Sequence, residues 1–387
     1  MTKSERSFYW MAYIALGVLA LGIFTSVSFT ALAHILLLPS GLYFYKKNLS
    51  EKSFKPRPSL YALAALAVIS IFSVLVNWEE MEKPLKNILK TKYFIIGILS
   101  SYAFHYLKQN WLNPKRIKIL VNLFLFAAML ASLSGLIGLW SGFNPLKFKP
   151  PCHPTRACGL YGMYMTYGYG ISLFMVLATG LLVYRDRFKS YFTPWLLYSS
   201  LGVCFLGLIF SYARGGWLGF ALGVPFLFVK NHPKRMVVSF ILMALIGGGI
   251  FISSSRVQDT VLKRKTSNKE RIHFFEAAYA AFKEKPLLGY GYKNFEANSK
   301  EIKKRHNIGG QHFGGHAHNN ALEHLASTGA LGFLGFIIFC LLWLKESYRE
   351  PIVFAFVVSF LVSGLFQYTF GDGENLFLIF AIFGLFA

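Results

Sequence analysis

The sequence carries little charge and has few acidic residues. Only 15% of its 387 residues are charged, and Asp and Glu together number 17. A soluble globular domain carries charge on about a quarter of its residues, so the composition excludes an ordinary soluble domain. No Asp-x-Asp pair occurs in the chain. This absence argues against phosphate binding through a metal ion held by neighbouring carboxylates.

Hydrophobic residues take the place of the missing charge. They make up 55% of the chain, and the mean hydropathy is +0.46. A helix needs about 20 apolar residues to cross a bilayer, and apolar runs near that length recur along the chain, so we predict an all-α integral membrane protein with about 12 transmembrane helices. Residues 1–387 would form a single polytopic membrane domain with one long outer loop, residues 254–319. The predicted helices cover residues 8–27, 29–45, 60–77, 93–107, 119–141, 160–184, 194–212, 217–229, 236–253, 321–344, 352–369 and 375–387.

The distribution of Lys and Arg predicts the orientation of these helices. With the amino terminus inside, the inner segments hold 19 basic residues, the short outer loops hold 8, and the long loop holds 13. Cytoplasmic loops of membrane proteins are enriched in Lys and Arg. We therefore expect both termini in the cytoplasm, where the basic inner surface would meet anionic lipid headgroups.

The long outer loop, 254–319, is basic. Between Arg256 and Arg305, thirteen basic residues stand against six acids. A solvated surface and a phosphate-bearing partner both fit this charge. Nucleic acid is the usual partner of a basic segment, but it is not expected outside a plasma membrane. Phosphorylated lipid is therefore the partner that this loop favours.

The middle of the loop has the spacing of a helix. Asn268 or Ser267 is suitable as its N-terminal cap, and Pro286 follows its last turn. An amphipathic helix with basic flanks is expected to lie along the membrane interface or to cover the bundle as a lid. The apolar residues that recur at helical spacing are Ile272, Phe275, Tyr279 and Phe282.

The four cysteines fall into two pairs. Cys204 and Cys340 lie in apolar segments and are expected to be packing residues. Cys152 and Cys158 share an outer loop, which would face an oxidising compartment. A disulfide and two free thiols both remain open for this second pair.

Several side chains with distinctive chemistry fall on the outer side of the predicted topology. The inner side has no comparable cluster of arginine, histidine and glycine. A guanidinium group donates two hydrogen bonds to two oxygens of a phosphate, so several arginines around one pocket would hold a pyrophosphate and stabilise the charge that develops as it leaves. The outer residues are Arg156, Arg214, Arg271, His318 and Asp372.

His318 is the candidate proton acceptor because it lies where a polar loop meets an apolar helix. The ordinary pKa of histidine is about 6.5, and burial beside arginines would lower the pKa and keep the ring neutral, as a base requires. His316 and Asn319 are possible supporting residues. Gly215, which follows Arg214, would let a ligand approach the backbone.

Each of these residues also has a simpler interpretation. Arg214 could be an anchor at the level of the headgroups, and Arg271 could be a surface residue of the loop helix. A histidine at a helix start often serves as a cap. The spacing of His312, His316 and His318 would also suit zinc, although no cysteine lies nearby.

Short motifs in a fixed order resemble the O-antigen ligase and polymerase superfamily, and together they span residues 156–332. About twelve helices with one large periplasmic loop also match the architecture of that superfamily. The motifs are Arg156-Ala-Cys-Gly159, Ser211-Tyr-Ala-Arg214-Gly215, Glu270-Arg271, Lys285-Pro286-Leu-Leu-Gly289-Tyr-Gly291-Tyr-Lys-Asn-Phe295, and His318-Asn319 followed by Gly329 and Gly332.

The resemblance implies an enzyme of the bacterial inner membrane with its active site facing the periplasm. The enzyme would transfer a glycan from undecaprenyl pyrophosphate to a hydroxyl group of the lipid A-core, with inversion and without a metal ion, nucleotide or other cofactor. By the same resemblance, Arg214 and Arg271 would bind the pyrophosphate, His318 would activate the acceptor hydroxyl, and Arg156 would bind substrate. The implied partners are the lipid-linked glycan, the lipid A-core and membrane lipid.

Other functions suit the same motifs. Within the superfamily, a polysaccharide (O-antigen) polymerase extends the glycan, and a protein O-oligosaccharyltransferase transfers it to a side-chain hydroxyl; we favour the ligase. A transporter of a lipid-linked anion belongs to another class and would also need outer arginines. Transporters commonly have inverted repeats with polar features in both halves, whereas the polar features here lie almost wholly within residues 145–375.

Overall fold

The computed structural model describes residues 2–230, 232–263 and 265–386. Within these ranges the chain is helical and forms no strand, apart from an isolated bridge between Asn144 and Lys149. Short 3-10 helices cover Trp78–Glu80, Lys189–Tyr191 and Val224–Phe228. The α-helices are α1 (Lys3–Thr25), α2 (Val27–Glu51), α3 (Pro58–Val76), α4 (Pro84–Lys90), α5 (Lys92–Asn110), α6 (Pro114–Ser141), α7 (Tyr164–Val183), α8 (Arg185–Phe188), α9 (Pro194–Ser211), α10 (Arg214–Gly223), α11 (Pro233–Ser253), α12 (Ser255–Leu262), α13 (Lys265–Glu284), α14 (Phe295–Arg305), α15 (Asn320–Ser347), α16 (Pro351–Gly364) and α17 (Gly373–Phe386).

The all-α membrane fold predicted from composition is confirmed. Each predicted apolar segment coincides with a helix, and eight helices in the described ranges are long and apolar enough to cross a membrane. The segment 217–229 divides into α10 and a 3-10 helix, where Pro225 removes a backbone donor. α16 and α17 have 14 residues each, fewer than the roughly 20 of a full span. The number of spans therefore stays a prediction.

The helices differ widely in how much of their surface is covered by protein. α7 lies at the centre, and 72% of its apolar stretch is buried by other parts of the protein. In α11 only 6% of the corresponding stretch is buried. The outward residues of α11 are apolar, as a helix that faces lipid requires. α12, α13 and α14 form most of the long loop 254–319, and α13 and α14 pack against α15.

Polar contacts join loops at each end of the bundle. At one end Lys47 pairs with Glu5, and the backbone N–H of Ser59 donates to Oε1 of Glu346 at 2.9 Å. These residues belong to segments predicted to face the cytoplasm. The basic inner segments therefore do meet at a common end of the fold.

The segments predicted to face outward lie together at the opposite end. Nζ of Lys285 donates to Oδ1 of Asn77 at 2.7 Å, and Nζ of Lys293 donates to the carbonyl oxygen of Gly371 at 2.5 Å. Residues that are distant in sequence thus meet over the outer ends of the helices. Which end faces the periplasm remains a prediction from charge.

Cysteine labelling in intact cells tests the orientation. Ser50, Asn113, Lys149 and Lys300 are all exposed, so a cysteine at each position can react. We expect an impermeant maleimide to label Lys149→Cys and Lys300→Cys but to label Ser50→Cys and Asn113→Cys only after the cells are opened. The opposite result would reverse the orientation and place the site in the cytoplasm.

The native cysteines give a low background for this labelling. Cys204 and Cys340 are buried, and Cys152 and Cys158 form a disulfide. The unmodified chain, treated in the same way, is the control.

Candidate active site

α15 has a kink close to the outer end of the fold. Gly329 has a φ of +64° and a ψ of −164° inside the helix, which frees the backbone N–H groups of Ala330 and Leu331. These groups donate to the carbonyl oxygens of Pro286 and Leu287 at 2.8 and 3.3 Å. A Cβ atom on Gly329 would lie 2.4 Å from the Leu287 carbonyl, so glycine is required here. The glycine motif of α15, Gly329 to Gly332, therefore packs directly against the segment Pro286 to Gly289.

The turn that leads into α15 is fixed by side chains of the helix. The Asn319 side chain caps the helix by accepting the N–H of Leu322 at 3.0 Å. Glu323 is buried, and its Oε2 accepts the N–H of Ala317 at 2.8 Å. Between these contacts His318 has a φ of +50°, in a region that histidine enters more readily than most residues. The backbone of His318 is thereby fixed on both sides.

The loop between α16 and α17 closes over this turn. Oδ1 of Asn320 accepts the backbone N–H of Phe370 at 3.0 Å, and its amide nitrogen donates to Oγ1 of Thr369 at 3.1 Å. This pairing brings Gln367, which is 2% exposed, against His318.

His316 and His318 share the Gln367 side chain. Oε1 of Gln367 lies 2.9 Å from Nδ1 of His318, and its amide nitrogen lies 3.4 Å from Nε2 of His316. Burial and the nearby Arg271 lower the pKa of His318, against an opposing effect of the Gln367 hydrogen bond. Burial, His318 and Arg271 lower the pKa of His316 to about 3. Both rings are therefore neutral at pH 7.

Arg214 begins α10 where that helix crosses α7. A Cβ atom on Gly216 would lie 2.8 Å from the carbonyl oxygen of Gly168, and one on Gly215 would lie 2.2 Å from the Tyr169 hydroxyl. The two helices therefore approach to a distance that only glycine permits. This crossing sets Arg214 within electrostatic range of Tyr169.

Arg271 links the arginines to the histidines. It lies on α13, three residues after Asn268, whose Oδ1 accepts a hydrogen bond from Arg214 at 2.5 Å. Arg271 interacts electrostatically with Tyr169 on one side and with His318 on the other. One guanidinium group thus acts electrostatically on both parts of the site.

Arg156 lies in the loop between α6 and α7, which the Cys152–Cys158 disulfide closes. Its guanidinium carbon is 4.1 Å from the ring centroid of Tyr164. One terminal nitrogen is buried without a hydrogen-bond partner among the described residues. Arg156 is also within electrostatic range of Arg214. The structure therefore brings together the three arginines that the sequence singled out.

Lys293 is a candidate that the sequence analysis did not single out. It acts electrostatically on His316 and on Asp372. Burial lowers the pKa of Lys293 to about 8, and burial together with Glu374 raises the pKa of Asp372 to about 7. Lys293 is one of many basic residues in its loop, and only its place after Gly291 in the Pro-Leu-Leu-Gly motif distinguished it.

The expected cap of α13 is wrong. The helix begins at Lys265, so Asn268 lies inside it and binds Arg214 instead of capping the start. Ile272 and Tyr279 are exposed, which agrees with a helix along the membrane interface, and the buried face of α13 is made by small residues and one phenylalanine. The buried residues are Phe274, Ala277, Ala278, Ala280 and Ala281.

Gly215 also has a different use from the expected one. It was expected to let a ligand reach the backbone, but it is buried against Tyr169 and Phe366. Its role in the structure is to permit the crossing of two helices. Across the described residues, no three His, Cys, Asp or Glu side chains lie close enough together to hold a metal ion.

Two comparisons with known proteins match part of the chain. Residues 200–337 match the family described as O-antigen ligase, so the resemblance found in the sequence is confirmed at the level of the superfamily. The chain is also similar to an uncharacterised protein of Haemophilus influenzae, with 29% identity over 150 residues. That alignment covers 34% of this chain and 38% of the relative.

Proposed function

Residues 200–337 carry the sequence of the O-antigen ligase superfamily, and from that premise we propose that this membrane protein is a lipid A-core ligase. It transfers a glycan from undecaprenyl pyrophosphate to a hydroxyl group of the lipid A-core, on the periplasmic side of the bacterial inner membrane. The observation that carries the proposal is the position of Arg271, within electrostatic range of both Arg214 and His318. A donor held by the arginines would have its reacting carbon near the proposed base.

The arginine group supports the choice of an anionic leaving group. Arg156, Arg214 and Arg271 are all partly exposed, and Arg214 lies within electrostatic range of the other two. Like charges in a partly buried space repel one another, so a bound pyrophosphate relieves that repulsion and accepts the forked hydrogen bonds. The same donors stabilise the negative charge that grows as the bond to the glycan breaks.

The proton step uses His318. The acceptor hydroxyl oxygen attacks the anomeric carbon, the bond from that carbon to the pyrophosphate oxygen breaks, and undecaprenyl pyrophosphate leaves with the bonding electron pair. The hydroxyl proton passes to the neutral imidazole. Attack from the side opposite the leaving group inverts the anomeric centre.

A reconstituted transfer assay tests this function and the choice of acceptor. We expect the protein in liposomes, supplied with undecaprenyl-pyrophosphate-linked glycan, to glycosylate lipid A-core and release undecaprenyl pyrophosphate. Mass spectrometry of the lipid products measures both. The linkage in the product, read by NMR, should have the anomeric configuration opposite to that of the donor.

A second arm of the assay supplies a second lipid-linked glycan in place of lipid A-core. Extension of that glycan, with lipid A-core left unmodified, would identify a polymerase. Movement of the donor across the bilayer without release of undecaprenyl pyrophosphate would identify a transporter.

A further inference from the structure

A fourth arginine, Arg256, continues the series of arginines in the site. Electrostatic interactions link Arg271 to Arg214 and Arg214 to Arg156. A further interaction links Arg156 to Arg256, which lies on α12. Arg271 is the member of the series that acts on His318. Arg156 and Arg256, the outer arginine pair, therefore form the end of the series away from the proposed base.

Both guanidinium groups of the outer arginine pair are stacked on tyrosine rings. The guanidinium carbon of Arg156 lies 4.1 Å from the ring centroid of Tyr164. That of Arg256 lies 4.6 Å from the ring centroid of Tyr212. Nη2 of Arg256 also donates to the carbonyl oxygen of Thr155, the residue before Arg156. A guanidinium group stacked on an aromatic face keeps N–H groups at its edge for an acceptor.

The loop that carries Arg156 is fixed on both sides of that residue. The Cys152–Cys158 disulfide closes the loop. The backbone N–H of Ala157 donates to the carbonyl oxygen of Phe210, near the end of α9, at 2.9 Å. Arg156 is thus positioned before any ligand binds, which reduces the entropy lost on binding.

The protein does not neutralise the charge around Arg156. The titratable groups that act on Arg156 are Tyr164, Tyr212 and Arg256, and none of the three is a carboxylate. Nη1 of Arg156 is buried without a hydrogen-bond partner among the described residues. A buried donor without a partner costs free energy, and two neighbouring cations repel each other. An anion bound between the two arginines would relieve both effects.

The outer arginine pair lies where membrane helices end. Tyr164 is the first residue of α7, and Tyr212 directly follows α9. Arg256 comes shortly after Ser253, the last residue of α11. All three helices are long and apolar enough to cross a membrane. The ends of such helices lie near the lipid headgroups, where tyrosine is also enriched.

The protein surface beside the pair is apolar and exposed. Trp140, at the end of α6, is 65% exposed and contacts Phe210 with 5.8 Å between ring centroids. Ile252, at the end of α11, is 78% exposed. A lipid can therefore approach the pair from the bilayer with its headgroup at the arginines. An anion that belongs to a lipid is favoured over one dissolved in the periplasm.

We propose that Arg156 and Arg256 form a subsite for a phosphate group on the lipid portion of the acceptor. This inference rests on the proposed function, because lipid A bears phosphate groups whereas the attacking hydroxyl belongs to a sugar of the core. The reacting pyrophosphate is bound by Arg214 and Arg271, so the acceptor phosphate needs a site of its own. Arg156 lies between the two anions and contributes to both, whereas Arg256 is specific to the second.

Phosphate suits the outer arginine pair because of its shape and its number of oxygens. Each guanidinium group donates two parallel hydrogen bonds, and the terminal oxygens of one phosphate can accept from two such groups. A phosphate bound there holds the lipid of the acceptor in the membrane while its sugars extend towards His318. The subsite therefore determines which acceptor is used and leaves the bond-forming step to the other end of the series.

The test measures glycan transfer by Arg256→Gln in phosphatidylcholine liposomes, with lipid A-core and with the same acceptor after removal of its phosphates. With the phosphorylated acceptor, the KM for the acceptor should rise about ten-fold, as expected for the loss of a hydrogen bond between charged groups. The kcat and the KM for the donor should change little. With the dephosphorylated acceptor, the wild type should already have the raised KM, and Arg256→Gln should not raise it further. An equal increase for both acceptors, or no increase for either, would contradict the subsite.

Lys300→Gln is the matched control, because Lys300 is an exposed basic residue of α14 in the same long loop. It removes the same charge at another place and should keep the wild-type KM for both acceptors. A third arm adds phosphatidylglycerol to the liposomes. If phosphatidylglycerol activates the wild type but not Arg256→Gln, while the KM for the acceptor is the same in both, the pair binds bulk phospholipid and the proposal is wrong.

Binding of lipid A-core in the absence of donor, measured by native mass spectrometry, separates two kinds of failure. If the wild type transfers glycan to lipid A-core but Arg256→Gln binds that acceptor as tightly as the wild type does, the inference fails and the proposed function stands. If the wild type extends a second lipid-linked glycan and leaves lipid A-core unmodified, the proposed function fails and the inference falls with it.

Discussion

Replacing His318 with alanine should abolish glycan transfer while the lipid-linked donor still binds. Loss of a general base typically lowers the rate about 100- to 10,000-fold. Donor binding should persist because Arg214 and Arg271 are separate from the imidazole and are held by α10 and α13. The measurements are kcat for transfer to lipid A-core and the dissociation constant for the donor. In the wild type, kcat should rise with increasing pH as His318 loses its proton. It should reach half of its maximum below about pH 6.5, since the pKa of His318 is lowered from its ordinary value.

His312→Ala is the control for that experiment. His312 lies in the same loop but is exposed, so this variant should transfer glycan at the wild-type rate. If the two alanine variants behave alike, or if His318→Ala loses donor binding together with turnover, His318 is a structural or binding group.

Replacing Arg214 with lysine should have the second largest effect. The positive charge is kept, but the planar fork that bonds two phosphate oxygens is lost. Removal of a donor that stabilises a transition state lowers kcat about 100- to 1,000-fold, so we expect a loss of that order in transfer. Gel filtration and thermal unfolding should show a normally folded protein, because Arg214 is partly exposed and its described hydrogen bond is to Asn268.

Arg187→Lys is the matched control at the other end of the bundle. Arg187 makes a forked pair with Glu350, with nitrogen–oxygen distances of 3.1 and 3.2 Å. Exposed ion pairs of this kind contribute little to stability, so this variant should transfer glycan normally. Near-normal transfer by Arg214→Lys would mean that Arg214 is a membrane anchor.

The sequence was sufficient to predict the helices and the arginines because both depend on simple physical requirements. A membrane helix needs a long apolar run, and each predicted run contains an α-helix. An arginine beside glycines on the outer side, such as Arg214, is unusual in any apolar sequence. Its convergence with Arg156 and Arg271 could be expected because all three were placed on one side.

The side-chain contacts of His318 could not be predicted in the same way. Gln367 is a polar residue between two apolar helices, and nothing in its neighbourhood distinguishes it from a helix end. Its relation to His318 depends on the packing of the α16–α17 loop over α15, a contact between residues 49 positions apart. The error at Asn268 has a similar cause, since a capping residue and a residue that binds a neighbouring helix have the same side chain.

The kink at Gly329 has a consequence for the biogenesis of the protein. In lipid, each unsatisfied backbone group costs several kcal/mol, so the outer turns of α15 cannot settle until Pro286 and Leu287 accept the N–H groups of Ala330 and Leu331. A straight α15 would satisfy these N–H groups within the helix, so only the kinked conformation depends on the loop. Because the acceptor loop is synthesised before α15, we expect the kink to form when the two segments meet, and a chain whose α15 stays straight would be embedded in the membrane without this contact.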